Sequence, residues 1–186
     1  MRDNSQSLRV VALISGGKDS TYNMVQCTKD NHQIIALANL YPESTDELDS
    51  YMYQSVGHEI IKLYAEAIDI PLYRAIIKGN AKTTEKYYSE PVTGDEVEDL
   101  YQLLCEVKKH HEFDAVSVGA IFSEYQYNRV ANVCHRLNIK VLTYLWKRDQ
   151  KVLLDEMIDN GIEAIIIKTA AMGKLNIEAL HTCNKF

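Results

Sequence analysis

Cysteine is scarce and scattered. The four in this chain of 186 residues, Cys27, Cys105, Cys134 and Cys183, include no Cys-x-x-Cys pair. The sequence therefore indicates neither a zinc site nor a disulfide framework, and no cysteine has a neighbour that marks it as a nucleophile. No apolar run reaches the roughly 20 residues of a membrane-crossing helix. The polar start, residues 1–7, lacks the apolar centre of a signal peptide and reads as a disordered extension. A dense Lys/Arg stripe is missing, and the formal net charge is −6, whereas binding along a nucleic-acid backbone ordinarily needs a positive footprint. Internal repeats and low-complexity segments are also lacking. These absences point to a reduced, cytoplasmic protein without a membrane partner, and they count against nucleic acid as substrate.

What is present is core material. Hydrophobic residues make up 46% and charged residues 25% of the chain, enough for one domain. Short aliphatic runs without polar alternation read as strands buried on both faces. They fall at residues 10–14, 33–40, 72–77, 115–118, 140–145 and 164–167. Helical patterns fill the intervals: one opens at Thr21, and others cover residues 52–68, 93–111, 123–137 and 150–159. Strands alternating with helices over short links require right-handed crossovers and a parallel sheet. The expected fold is α/β, a Rossmann-like three-layer sandwich. Ligands on such sheets sit at the carboxyl ends of the strands, where the strand order reverses. Asn39, Gly119–Ser123 and Trp146–Asp149 should share that rim.

The chain is organised around Ser15-Gly16-Gly17-Lys18-Asp19-Ser20, which follows the first strand and opens the first helix. A glycine turn at a helix N-terminus gathers free backbone N–H groups and the positive end of a helix dipole. Gly16 and Gly17 admit a close ligand, and Lys18 adds a mobile cation, so the site suits phosphate. It is not a Walker A loop, which has Ser or Thr directly after its lysine; here Asp19 follows Lys18. A carboxylate beside a phosphate cradle is repulsive unless a cation such as Mg²⁺ lies between them. The plainer reading makes Asp19 the helix cap.

Other candidates lie further along. Asp95, Glu96, Glu98 and Asp99 suit the first turn of a helix, or they form a negative pocket that receives ammonium or a cationic substrate or orients a metal. The polar stretch 78–91 has no clear period, and a loop this long is more often functional or mobile than inert. Gly119 would let a base or ribose approach the backbone, and Ser123 suits a helix cap. Arg129 reads either as a bidentate oxyanion ligand or as a solvated surface arginine. Lys147 and Arg148 could stabilise charge as pyrophosphate leaves, or they begin a solvated helix that Asp149 caps. His110 and His111 face different ways on a helix, so a shared metal is not expected.

The loop at residues 15–20 resembles that of the N-type ATP pyrophosphatases, which activate a carboxyl or carbonyl oxygen as an adenylate. Residues 94–100, 115–125, 144–150 and 163–171 join it in resembling the diphthine–ammonia ligase family, and the likeness covers about residues 8–173. The resemblance implies ATP-dependent, Mg²⁺-linked amidation of the diphthine carboxylate on elongation factor 2. Ammonia would be taken free, and AMP and pyrophosphate released. It also implies nucleotide contacts from Ser15 to Ser20, Asn39 and Gly119. Lys18, Asp19 and Arg129 would be catalytic, with Asp19 meeting the metal, and Asp95, Glu96, Glu98, Lys147 and Arg148 would face the substrates. Two departures stand out. The family pattern Tyr-Gln-Arg-x-Arg-Val-Glu reads here Tyr125-Gln126-Tyr127-Asn128-Arg129-Val130-Ala131, and residues 174–186 form an atypical tail where family members continue to a Gly-Glu-Gly-Gly-Glu-Tyr-Glu-Thr motif. The expectation is ATP binding with ligase activity weakened or lost. Alternatives are a tRNA-modifying pyrophosphatase and a nucleotide-binding form without ligase activity.

Overall fold

In a computed structural model, residues 6–43, 50 and 52–167 are described. The expected domain boundary at residue 173, the tail beyond it and residues 1–5 of the N-terminal extension lie outside them. The elements in order are β1 (Arg9–Leu13), α1 (Lys18–Lys29), β2 (Gln33–Tyr41), a 3₁₀ turn (His58–Ile60), α2 (Ile61–Ile68), β3 (Leu72–Ile76), α3 (Glu96–His110), β4 (Ala115–Ser117), α4 (Glu124–Arg136), β5 (Lys140–Leu142) and α5 (Gln150–Asp159). Every strand pair is parallel, and the sheet order is β3-β2-β1-β4-β5. The register slips by one residue on β2, so that Val10 faces Ile34 while Val11 faces Ala36.

β1 lacks polar alternation because helices cover both faces of the sheet. Val11 packs with α3 and α4 through Val97, Leu100, Leu104 and Val130, whereas Ala12 and Ile14 pack with α1 and α2 through Met24, Ile61 and Ala65. Each fully buried leucine or valine removes enough apolar surface to contribute about 1.5–3 kcal/mol. α5 lies against α1 through Tyr22, Leu153 and Met157. Helix α3 starts at Asp95, whose side chain accepts the Val97 amide, and ends in Lys108, Lys109 and His110, so both ends complement the dipole. Ser123 and Asp149 cap α4 and α5 through the amides of Gln126 and Val152, as their positions suggested.

Expected and observed elements differ most at four places. Helix α1 begins at Lys18, and its cap is Gly17 rather than Asp19. The helix expected from residue 52 begins only at His58, because Gly57 adopts φ +70 at the cap and breaks the turn before it. β5 stops at Leu142, after which Asn23 accepts the Tyr144 amide at 2.9 Å and turns the chain off the sheet. The sixth strand is absent: residues 162–167 follow no strand partner, and Ile165 is 86% exposed. The side chain of Ile167 comes close to Gly57, just ahead of α2. A strand needs an edge to pair with, and this segment leaves in another direction.

Candidate functional site

The strand order reverses between β1 and β4, and the carboxyl ends of β1, β2 and β4 open there into a cavity of about 210 Å³. Its lining includes Ser15, Asp19, Ser20, Asn39 and Gly119, together with Met52, Tyr53, Gln54 and Gln126. Five positions expected to hold nucleotide therefore converge on one hollow.

Gly16 stands at φ +78, in the left-handed region that a side chain disfavours. Gly17 then caps α1 without any side-chain bond. The amides of Lys18, Asp19 and Ser20 fall in the first turn, where no carbonyl lies four residues back within the helix. The Ser20 hydroxyl donates to the Gly17 carbonyl at 3.0 Å and lies 3.4 Å from the Ser15 amide, which braces the loop across its own mouth. Lys18 Nζ pairs with Asp19 at 2.8 Å, and both remain partly exposed. The loop thus offers an anion its amides, a helix dipole and one movable ammonium.

Asn39 anchors this arrangement from below. Its amide nitrogen donates to the Ile14 carbonyl at 2.9 Å, and its oxygen accepts Arg74 Nε at 2.9 Å. Arg74 also donates to the His58 carbonyl at 2.9 Å and stacks on Tyr41 with its guanidinium 4.2 Å from the ring centroid. Burial pulls the Arg74 pKa below its ordinary value. Sequence reasoning missed Arg74. Its signal was one cation inside the otherwise apolar strand Leu72–Ile76.

The acidic cluster divides by partner. Asp95 accepts the amides of Val97 at 3.0 Å and Lys82 at 2.9 Å. Asp99 accepts those of Lys78 and Gly79, each at 2.8 Å. Glu98 takes both guanidinium nitrogens of Arg136 at 2.8 Å, and the Tyr88 hydroxyl at 3.0 Å. Glu96 differs. It is 1% exposed and accepts the Ser50 hydroxyl at 2.6 Å, while its Oε1 finds no donor. Burial, the largest cause, lifts its carboxyl above the ordinary value, and the Ser50 bond opposes that shift. Ser50 also accepts the amides of Met52 and Tyr53, so Glu96 pins the turn that forms one wall of the cavity.

Arg129 is fully buried, which excludes a solvated surface role. It donates to the Thr83 carbonyl at 2.8 Å and to Glu85 at 3.1 Å, and its guanidinium lies 3.3 Å from the Tyr125 ring centroid. Asn128 and Asn132 hold the carbonyls of Lys86 and Tyr88, each at 2.9 Å. The polar stretch 78–91 is a strap gripped along its backbone by α3 and α4. On the rim, Lys147 lies 3.8 Å from Glu124, and Arg148 pairs with Glu156.

ATP suits this hollow: the loop presents unmet donors to phosphate, and the cavity behind it runs up to Gly119. A resident metal is less suited, since the described residues hold no group of three or more His, Cys, Asp or Glu side chains placed for one. Mg²⁺ ordinarily sits on phosphates with one or two carboxylates, and Asp19 is the carboxylate among the residues lining the cavity. Among the described residues no helix is long and apolar enough to cross a membrane.

Proteins of known name share much of this sequence. Diphthine–ammonia ligase of mouse is 59% identical over 170 residues, covering 89% of this chain and 63% of the mouse protein. The human protein of that name is 58% identical with the same coverage. The fission-yeast protein is 51% identical over 168 residues, with 89% of this chain and 28% of that protein covered. The chain therefore spans less than two thirds of these curated relatives. The family described as diphthamide synthase N-terminal domain matches residues 8–141, and the chain belongs to that family.

Proposed function

We propose that this chain binds ATP with Mg²⁺ and catalyses the amidation of the diphthine carboxylate on elongation factor 2 with ammonia, releasing AMP and pyrophosphate. The observation that carries this reading is the loop at residues 15–20, with Gly16 at φ +78 and its unmet first-turn amides at the mouth of the cavity. A carboxylate resists attack by ammonia until one oxygen becomes a good leaving group, and adenylation supplies that.

The residues take the following parts. The backbone from Ser15 to Ser20 holds the β and γ phosphates, with Lys18 neutralising the departing diphosphate. Asp19 meets the magnesium that travels with the nucleotide. Asn39 keeps the loop in place, and Gly119 leaves room beside it. Arg129 positions the strap and the first turns of α4 around the reacting carboxylate. Asp95 and Glu98 shape the acceptor side through bonds already formed, so ammonium falls to Glu96, whose Oε1 lacks a donor. Lys147 and Arg148 face the carboxylate of the protein substrate. Cys27, Cys105 and Cys134 are free thiols, which supports a reducing, cytoplasmic setting.

The test is incubation of the chain with diphthine-bearing elongation factor 2, ATP, Mg²⁺ and ¹⁵N-ammonium. Expected are ¹⁵N in the product amide and one pyrophosphate per amide. ATP binding without any amide would leave a nucleotide-binding protein and withdraw the ligase reading.

A further inference from the structure

The turn after β5 sets an aromatic pair on the rim. Tyr127, in the first turn of α4, lies parallel to Trp146 with centroids 4.6 Å apart and an interplanar angle of 20°. Lys147 adopts φ +57, and its amide donates to the Ile121 carbonyl at 2.7 Å. That bond ties the turn after β5 to the turn after β4. Ile121 and Tyr127 directly follow Ala120 and Gln126, which both line the cavity. The Lys147 ammonium stands over the indole, 5.6 Å from its centroid and 3.8 Å from a Glu124 carboxylate oxygen. The other Glu124 oxygen takes Lys86 at 2.6 Å, and the Lys86 pairing holds the Glu124 carboxyl below its ordinary value.

We propose that Trp146, Tyr127 and Glu124 form a shelf for a quaternary ammonium group, and that the Lys147 ammonium is its intramolecular stand-in. The inference rests on the ligase reading above, because diphthine carries a trimethylammonium group on the carbon that bears the carboxylate to be amidated. Such a group has no N–H to donate. An aromatic face and a nearby negative charge are what remain to hold it, at the ring distance Lys147 already occupies. Lys147, displaced from the ring, then faces the substrate carboxylate two bonds from the quaternary nitrogen. One shelf and one lysine thereby match both charges of a betaine-like substrate, and they fix which face of its carboxylate turns toward the nucleotide.

Trp146 is the only tryptophan in the chain, so its fluorescence reports the shelf directly. The experiment titrates the purified chain with tetramethylammonium chloride, using sodium chloride and ammonium chloride at equal ionic strength as controls. A saturable change produced by tetramethylammonium alone is expected. Glu124→Gln should weaken it roughly fivefold, and Lys147→Ala, which removes the occupant, should tighten it roughly twofold to fivefold. Opposite responses of the two variants cannot come from a common folding defect. An unsaturable change, an equal response to sodium, or weaker binding in Lys147→Ala would overturn the shelf. The ¹⁵N-amide assay separates the two readings. Amide formation with no tetramethylammonium response removes the shelf alone, and a selective response without amide formation removes the ligase reading alone.

Discussion

A β-carbon on Gly119 would lie 2.6 Å from the amide nitrogen of Ser20 and 2.7 Å from the carbonyl carbon of Asp19. The end of β4 and the first turn of α1 therefore meet backbone to backbone, where neither side can yield by turning a side chain. Gly119→Ala should push that turn off the sheet. We expect a loss of about 1–3 kcal/mol in urea unfolding, with ATP affinity falling further than stability does. Calorimetric titration with ATP checks this, and unchanged affinity in a destabilised variant would separate the contact from the phosphate site.

The Lys18–Asp19 pair makes a prediction with two signs. Asp19→Asn removes the carboxylate proposed to meet the magnesium, so affinity for magnesium–ATP should fall roughly tenfold. With EDTA present, metal-free ATP should bind the variant more tightly than the native chain, because a repelling charge is gone. Titrations with and without magnesium read both, and a drop in both conditions would show that Asp19 merely holds the loop.

Arg129→Lys replaces a planar fork with a point charge. The carbonyls of Thr83 and Glu85 lose the bonds from the guanidinium fork, and a buried cation loses its stacking on Tyr125. A destabilisation of about 2–4 kcal/mol is expected. Amide hydrogen exchange across residues 83–88 should accelerate before the sheet opens, and uniform acceleration over the whole domain would contradict a specific hold on the strap.

Burial raises the Glu96 pKa, so the folded state keeps the proton more tightly than the unfolded chain does. Its contribution is present below the unfolded carboxylate value of about 4.3 and is lost as pH rises through the folded one. Asp114, held low by Arg9, has the opposite slope, and that slope is shared by native and variant chains. Glu96→Gln, permanently neutral, should gain stability over the native protein as pH rises from about 4 to 8. Denaturant midpoints across that range decide it, and a gap that stays constant would mean that Glu96 is ionised throughout.

Much of the scaffold was legible in the residues. Val10–Ile14 followed by two glycines marked the strand and the loop, and Ser123 and Asp149 marked two helix starts, because caps and apolar runs are local signals. The failures share a different cause. Residues 164–167 have a strand's composition, yet pairing depends on where the chain travels after α5, which no local pattern records. The acids of α3 read as one cluster, while the fold gives each a separate partner up to tens of residues away. Asn39 and Arg74 are 35 positions apart and meet only because β2 and β3 are neighbours in register.

The strap at residues 78–91 is held through its main-chain carbonyls and amides, with the gripping side chains contributed from elsewhere. Apart from Tyr88, whose hydroxyl meets Glu98, and Lys86, which pairs with Glu124, its side chains are therefore free to drift over evolutionary time while its path stays put. Natural variation should concentrate on positions such as Lys82, Glu85 and Tyr87, and selection for the strap's shape should be written in Asp95, Asp99, Arg129 and Asn132.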